Sequence, residues 1–411
     1  MVFLRKTVLL GLMVTLPYSV GFCAENGESL KEEIKVLKEK LEVLEEKLEK
    51  HEKRQASYEE KIGKIKKVGD LIKGIDLSFG STFVIQGSDV ENKTTSENAT
   101  DGTYSLDLGF EKKFDDYGMA FVHLEAGGGS GLDNDEINLF SGVNRDAGDS
   151  ENRVEVTEAF YEHYLMDKKI ALTFGKLDPT VYVDQNNFAN DETTQFLSFS
   201  FRNNDAIEFP DNGGGFHVMV SPLEWLEIEG QMVNADSGWE DFFENSFWSG
   251  QINLKPNLFK RKTNLRLFGW LNDTDHTKLL DTLKTKEENY GTGLSFDQEL
   301  SDSLGIFARY SYQNPGVSEF NHAYSIGFQL IGDFWNRKDD YLGLAFGQIF
   351  VSDDFKKLGN PDNEETHVEF YYNLFLNKHV RITPDIQVIT SPRGVSGDTI
   401  GVYGLRVQLD F

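Results

Sequence analysis

From Ile75 to its last residue the chain alternates apolar and polar positions with a period of two. GIDLSFGSTFVIQ puts Ile75, Leu77, Phe79, Phe83 and Ile85 on one face and Asp76, Ser78, Thr82 and Gln86 on the other. The end does the same. Tyr403, Leu405, Val407, Leu409 and Phe411 alternate with Gly404, Arg406, Gln408 and Asp410. This is the signature of strands with one oily and one wet face. Sixteen such segments can be marked, at 75–87, 103–112, 118–127, 153–166, 170–177, 214–222, 225–235, 247–255, 263–272, 289–300, 304–313, 322–333, 341–352, 366–377, 380–390 and 399–411.

The connections alternate as well. KKFDD, DKK, SDS and the pair at 378–379 are short, whereas 88–102, 128–152, 178–213, 273–288 and 353–365 are long. Short turns on one side and long loops on the other mark an outer-membrane barrel. A soluble sandwich would use shorter strands, and its two sheets would share one dry core. A closed cylinder pairs every backbone polar group without an edge, as a bilayer requires. The expected fold is an all-β transmembrane barrel of 16 antiparallel strands, preceded by an α-helical coiled-coil segment. Its domains are a signal peptide (1–24), a periplasmic coiled coil with linker (25–74) and the barrel (75–411). The oily faces touch lipid and the wet faces line a lumen. A barrel of this size leaves an aqueous channel.

The mean hydropathy of −0.42 does not oppose this, because a spanning strand carries a polar half. Residues 1–24 read as a secretory leader, with Arg5 and Lys6 before an apolar run too short to span a bilayer. Cys23 is the only cysteine, so no internal disulfide is expected. Acidic residues outnumber basic ones 68 to 41, which argues against a nucleic-acid partner.

Residues 29–65 are a different material. Leu30, Ile34, Leu37, Leu41, Leu44, Leu48, His51, Gln55, Tyr58, Ile62 and Ile65 follow a 4,3,4,3 spacing, a heptad seam. With a at Ile34, Leu41 and Leu48, the g–e pairs of a parallel homo-oligomer are Glu33–Lys38, Lys40–Glu45, Lys47–Glu52 and Arg54–Glu59, all opposite in sign. The expected partner is therefore this chain itself, in a parallel homo-oligomer in the periplasm whose number of strands the seam leaves open. The oligomerisation residues are Leu30, Ile34, Leu37, Leu41, Leu44, Leu48, Tyr58 and Ile62. A grip on the cell wall is the other use of such a stalk. Gly63, Gly69 and Gly74 are expected to end the helix.

The loop GKLDPTVYVDQNNFANDETTQFLSFSFRNNDAIEFP stands out. Connections this long are functional or disordered, and its Tyr182, Phe188, Phe196, Phe199 and Phe201 need somewhere to pack. Folded inward, it narrows the lumen with Asp184, Gln185, Asn186, Asn190, Asp191 and Gln195. Those amides and carboxylates suit neutral polyols. Strand parity adds Arg266, Trp270, Arg309, Arg381 and Arg406 on the inner wall, facing Glu227, Glu229, Asp297 and Asp385. Lys176, Asp178, Glu192 and Arg202 complete the expected constriction. A ring such as Trp270 can stack on a sugar, and opposed charges set a field that screens solutes.

Gly175-Lys176-Leu177, Asp184-Gln185-Asn186 and the run from Phe188 to Phe196 resemble the carbohydrate-selective porins of the OprB family. So do Thr383-Pro384-Asp385-Ile386-Gln387, Gly404-Leu405-Arg406 and the terminal Phe411. The resemblance covers roughly 75–411. It implies a sixteen-stranded outer-membrane pore admitting sugars by diffusion, and likeness to other porins with such stalks implies a homotrimer. The alternative is a general or cation-preferring porin whose coil anchors or trimerises it. An enzyme is not expected: His163 and His217 lie on strands, but no spacing marks a catalytic triad. No cofactor and no metal are expected.

Overall fold

The computed structural model describes residues 27–71, 73–91, 96–132, 136–146, 153–236, 239 and 242–411. The expected signal peptide lies outside them, as does the side chain of Leu30. The chain divides into two compact units at Lys73/Gly74.

In the first unit, helix α1 runs from Gly27 to Leu71, about 67 Å at 1.5 Å per residue. It passes through Gly63 and Gly69, contrary to the expected break. A helical glycine costs only about 1 kcal/mol, and its neighbours here, such as Lys61, Ile62 and Lys64, form helices well. Only Gly74, with φ of +74°, lies outside the helix, in the turn that follows. Ion pairs Glu46–Lys50 (3.0 Å), Glu49–Lys53 (2.7 Å) and Glu60–Lys64 (2.9 Å) lace the polar face, worth a few tenths of a kcal/mol each. Ile34, Leu37, Leu41, Leu44, Leu48, Tyr58 and Ile62 are between 48% and 64% exposed in the single chain.

The second unit is a barrel of sixteen strands. These are β1 (Ile75–Val90), β2 (Thr100–Phe114), β3 (Gly118–Gly128), β4 (Val154–Leu165), β5 (Ile170–Leu177), β6 (Gly213–Leu223), β7 (Leu226–Asn234) and β8 (Ser246–Leu254). The second half is β9 (Thr263–His276), β10 (Glu287–Glu299), β11 (Leu304–Gln313), β12 (Phe320–Gly332), β13 (Arg337–Val351), β14 (Glu365–Asn377), β15 (Val380–Thr390) and β16 (Thr399–Asp410). Each strand pairs with its sequence neighbours, and β16 returns to β1, so the sheet has no edge. In that seam Phe83 opposes Val407 and Val84 opposes Arg406.

The terminal Phe411 finishes the seam. Its amide donates to the Phe79 carbonyl (2.9 Å), and the Phe79 amide donates back (3.3 Å). Its ring lies 5.9 Å from that of Phe79 and stacks on His379 at 5.2 Å.

Parity sorts the two faces as expected. Leu77, Phe79, Phe83, Ile85, Leu267, Ile326 and Leu405 are exposed outside, while Thr82, Gln86, Arg406 and Gln408 are buried inside. Exposed Tyr117, Trp225, Phe259 and Phe334 ring the short-turn end, and Trp248, Tyr290, Tyr310 and Tyr403 ring the long-loop end. Two aromatic girdles flanking an oily band are what a bilayer selects.

Candidate pore constriction

The lumen is not left open to its walls, because the connection from β5 to β6, residues 178–212, folds into it. Val183, Ala189, Phe196, Leu197, Phe201, Ala206 and Ile207 are all buried. Phe196 and Phe201 pack on Phe307 of β11 and Tyr371 of β14; Val183 and Ile207 pack on Phe247, Phe268 and Trp270. The wall is cut to receive these rings. A side-chain carbon on Gly305 would lie 2.0 Å from the Phe188 ring, and one on Gly343 would lie 2.9 Å from Phe196. Burying such a ring is worth several kcal/mol, since Phe→Ala in a core costs about 3–5.

Inside the barrel the loop's backbone polar groups need partners, and wall side chains supply them. Arg309 of β11 donates to the carbonyls of Phe201 (2.8 Å), Asp184 (3.0 Å) and Ala189 (2.5 Å). Its Nε lies 3.1 Å from Asp184 Oδ2, with both side chains 0% exposed. Arg406 of β16 donates to the carbonyls of Glu192 (2.6 Å) and Gln195 (2.9 Å). Glu369 of β14 accepts from the amides of Leu197 (2.6 Å) and Ser198 (3.0 Å). The loop thus crosses from β5 to β14 and β16 and is fastened at both walls.

Each expected constriction residue has a definite place. Arg309 and Arg406 are buried beneath the loop rather than facing water, because the loop's carbonyls occupy their guanidinium groups. Trp270 is buried under Val183 and Ile207 and presents no face to a solute. Arg266 pairs with Asp297 at 2.5 Å, both buried. Asp184 is held by Arg309 and by the Asn204 amide at 2.7 Å. Burial pushes its carboxyl up, and Arg309 pulls it back down. Asn186 donates to Ser295 Oγ (3.2 Å) and the Phe296 carbonyl (3.1 Å). Asn190 caps the Asn186 amide at 2.7 Å, and Gln185 donates to the Val181 carbonyl at 2.6 Å. Lys176 shares the parity of exposed Leu172 and Phe174 and donates to the Val156 carbonyl at 2.8 Å. Arg381 stacks over Tyr341 and Phe375 and donates to Asn373 Oδ1 at 2.8 Å, near the short-turn end. Asp178 caps the Thr180 amide at 2.8 Å. Glu227 pairs with Lys255 at 2.8 Å, and Glu229 lies 3.2 Å from His217.

Half-buried in the loop are the acidic Asp178, Asp191 and Glu192, beside the neutral Gln195; Glu192 pairs with the buried Arg202. The wall near it carries Asp107, Glu125, Glu158 and Glu162 on β2–β4. Glu192 lies within electrostatic reach of Glu125 and of Asp146.

A second inserted loop escapes the sequence reading. Within the connection from β3 to β4, Leu132, Ile137, Leu139 and Val143 are buried. The Val143 carbonyl accepts from Gln86 (3.2 Å) and Gln387 (2.8 Å). Arg145 donates its amide to the Leu197 carbonyl at 2.7 Å, so this loop is tied to the first. Ile137, Leu139 and Phe140, three apolar residues clustered inside a long connection, were the available signal.

Asp146 lies in that second loop. Burial pushes its carboxyl up to about 8; a bond from the Ser105 hydroxyl opposes this, and Glu192 and Asp107 reinforce it. The folded lumen therefore favours the neutral acid, and that preference disappears as pH rises through about 8. The cation preference of the lumen is expected to rise between pH 7 and 9. Reversal potentials in asymmetric KCl measure it, and Asp146→Asn should flatten that part of the curve.

A closed sixteen-stranded barrel with girdles outside and an inward-folded loop defines the class of outer-membrane diffusion channels. A family model, carbohydrate-selective porin, OprB family, matches residues 91–411. The chain belongs to that family. Porin AaxA of Chlamydia abortus is 21% identical over 290 residues, covering 67% of this chain and 61% of that protein. Porin AaxA of Chlamydia felis is 23% identical over 238 residues, covering 55% and 51%. The chain thus spans about half to three fifths of the length of these curated relatives. Pseudomonas putida OprB at high pH superposes with a TM-score of 0.73 at 16% identity, covering 83% of this chain and 95% of that one, a likeness of fold.

Proposed function

We propose that the chain is an outer-membrane porin giving passive, diffusive passage to small hydrophilic solutes, with sugars the favoured class. The observation that carries this is the loop 178–212, held across the lumen by Arg309, Arg406 and Glu369. A loop so fastened narrows a channel without closing it by motion. Solute selection then rests on Asp178, Asp191, Glu192, Gln195 and Arg202, and on the second loop. Single-channel conductance in planar bilayers tests the reading, with and without glucose or malto-oligosaccharides. Partial block by sugars supports it; a barrel with no conductance defeats it.

The acidic wall favours a second reading, a cation-preferring pore. Coulomb energy for one charge at 6 Å in water-like surroundings is about 0.7 kcal/mol. Each ion type thus changes about threefold and in opposite directions, so Glu162→Gln is expected to lower the cation-to-anion permeability ratio by up to about tenfold, read from reversal potentials. No change would leave the wall without influence on ions.

Domain roles follow the same reading. Residues 1–24 act as an export signal, and α1 lies in the periplasm. The exposed heptad stripe and the matched g–e charges suit two further copies of this chain, forming a parallel homotrimer. Attachment to the cell wall is the competing use.

A further inference from the structure

We propose that Asp107, His123 and Glu125 form a binding site for a divalent transition cation of the zinc or cobalt type in the lumen wall. One ligand atom from each of these half-buried residues lies within 4.8 Å of the other two. His123 Nε2 is already 3.1 Å from Asp107 Oδ1. Asp107 and Glu125 face each other directly across the β2–β3 ladder, and His123 lies two residues from Glu125 on the same face. Ligands around a tetrahedral zinc are about 3.4 Å apart, given metal bonds of about 2.0–2.2 Å. The three atoms need close by little to meet that distance.

The second support is a break in the β3–β4 register. His123 opposes Glu158 and Leu124 opposes Val156, so Thr157 is an extra, unpaired residue. Bulges of this kind re-aim a side chain. Here the Thr157 hydroxyl is brought 2.7 Å from His123 Nδ1. A partner on the far ring nitrogen is the usual device for orienting a metal-binding imidazole. It leaves Nε2 as the atom turned toward the carboxylates. Phe121 stacks on the ring at 6.1 Å and limits its rotation further.

One imidazole and two carboxylates suit a borderline divalent ion better than Mg2+ or Ca2+, which take oxygen ligands. Three protein ligands beside a water-filled lumen leave room for water in the remaining positions, as in open sites. The ion would sit in the acidic wall opposite the constriction loop and reduce its negative charge.

Calorimetry with ZnCl2, and visible absorption with CoCl2, test this on the full-length protein in detergent. One equivalent per chain is expected to bind. His123→Ala and Asp107→Asn should each weaken binding on the order of 100-fold, and Thr157→Val about tenfold. His163→Ala, on the outer face, should leave it unchanged. Barrel integrity of each variant is checked by heat-dependent mobility on gels. Absence of binding in the wild type overturns the proposal, and so does binding that survives both His123→Ala and Asp107→Asn. Neither readout depends on conductance, so a barrel that proved to be no porin would still report on this site.

Discussion

Replacing Arg309 by alanine is expected to free the constriction loop and cost the barrel about 3–5 kcal/mol, the usual penalty for removing one partner of a buried ion pair. The side chain reaches three loop carbonyls and Asp184, and none of these groups can turn to water while the loop stays in place. Its loss leaves three carbonyls without that donor and removes the cation facing the buried Asp184. The cheapest remedy is for the loop to leave the lumen. Three measurements should change together. Single-channel conductance should rise and become noisy, limited proteolysis should cut within 178–212, and the unfolding midpoint should fall. Arg309→Lys should recover only part of this, because one ammonium cannot span the fork. Pairing Arg309→Met with Asp184→Asn should restore some stability by removing the orphaned charge. A protease-resistant loop and unchanged conductance in Arg309→Ala would refute the fastening role.

Deleting residues 29–65 is expected to leave single barrels in place of the proposed trimer while preserving conductance per barrel. Each fully buried Leu or Ile contributes roughly 1.5–3 kcal/mol, and the seam offers Ile34, Leu37, Leu41, Leu44, Leu48 and Ile62 in every chain. Leu41→Glu with Leu44→Glu is the milder version, placing like charges at adjacent seam positions in all copies. Size by light scattering in detergent, together with the number of equal conductance steps per insertion event, reads the outcome. Trimers that survive the deletion would hand assembly to the barrel walls and leave the stalk free to serve as an anchor.

The barrel was legible because a period of two is a geometric fact about strands. Each of the sixteen segments found by alternation is a strand, and parity assigned Thr82, Gln86, Arg406 and Gln408 inward. The entry of the 178–212 loop was legible from its aromatic residues, which no exposed loop could afford. What those residues pack on was not. Parity puts Arg309, Arg406 and Trp270 inside, but it cannot say that a loop lies between them and water. That depends on contacts more than a hundred residues apart, such as Arg309 with Phe201. Lys176 read as lumenal from its neighbourhood in the chain, whereas its parity with Leu172 and Phe174 points outward. The glycines of the stalk were read as stops, yet a weak propensity yields to the helix on either side. Asp107, His123 and Glu125 were hidden because they come together only through strand pairing and one inserted residue.

The mutual hold of Phe79 and Phe411 has a consequence for biogenesis. The cylinder is sealed only when β16 reaches β1, the strand farthest from it along the chain. A sheet in which those two strands have not met keeps two raw margins and has no enclosed chamber in which to stow its inner segments. Closure of that seam and membrane competence are therefore one event for this molecule. Breaking the pairing of Phe79 with Phe411 should matter far more than extra residues inserted in an outward loop.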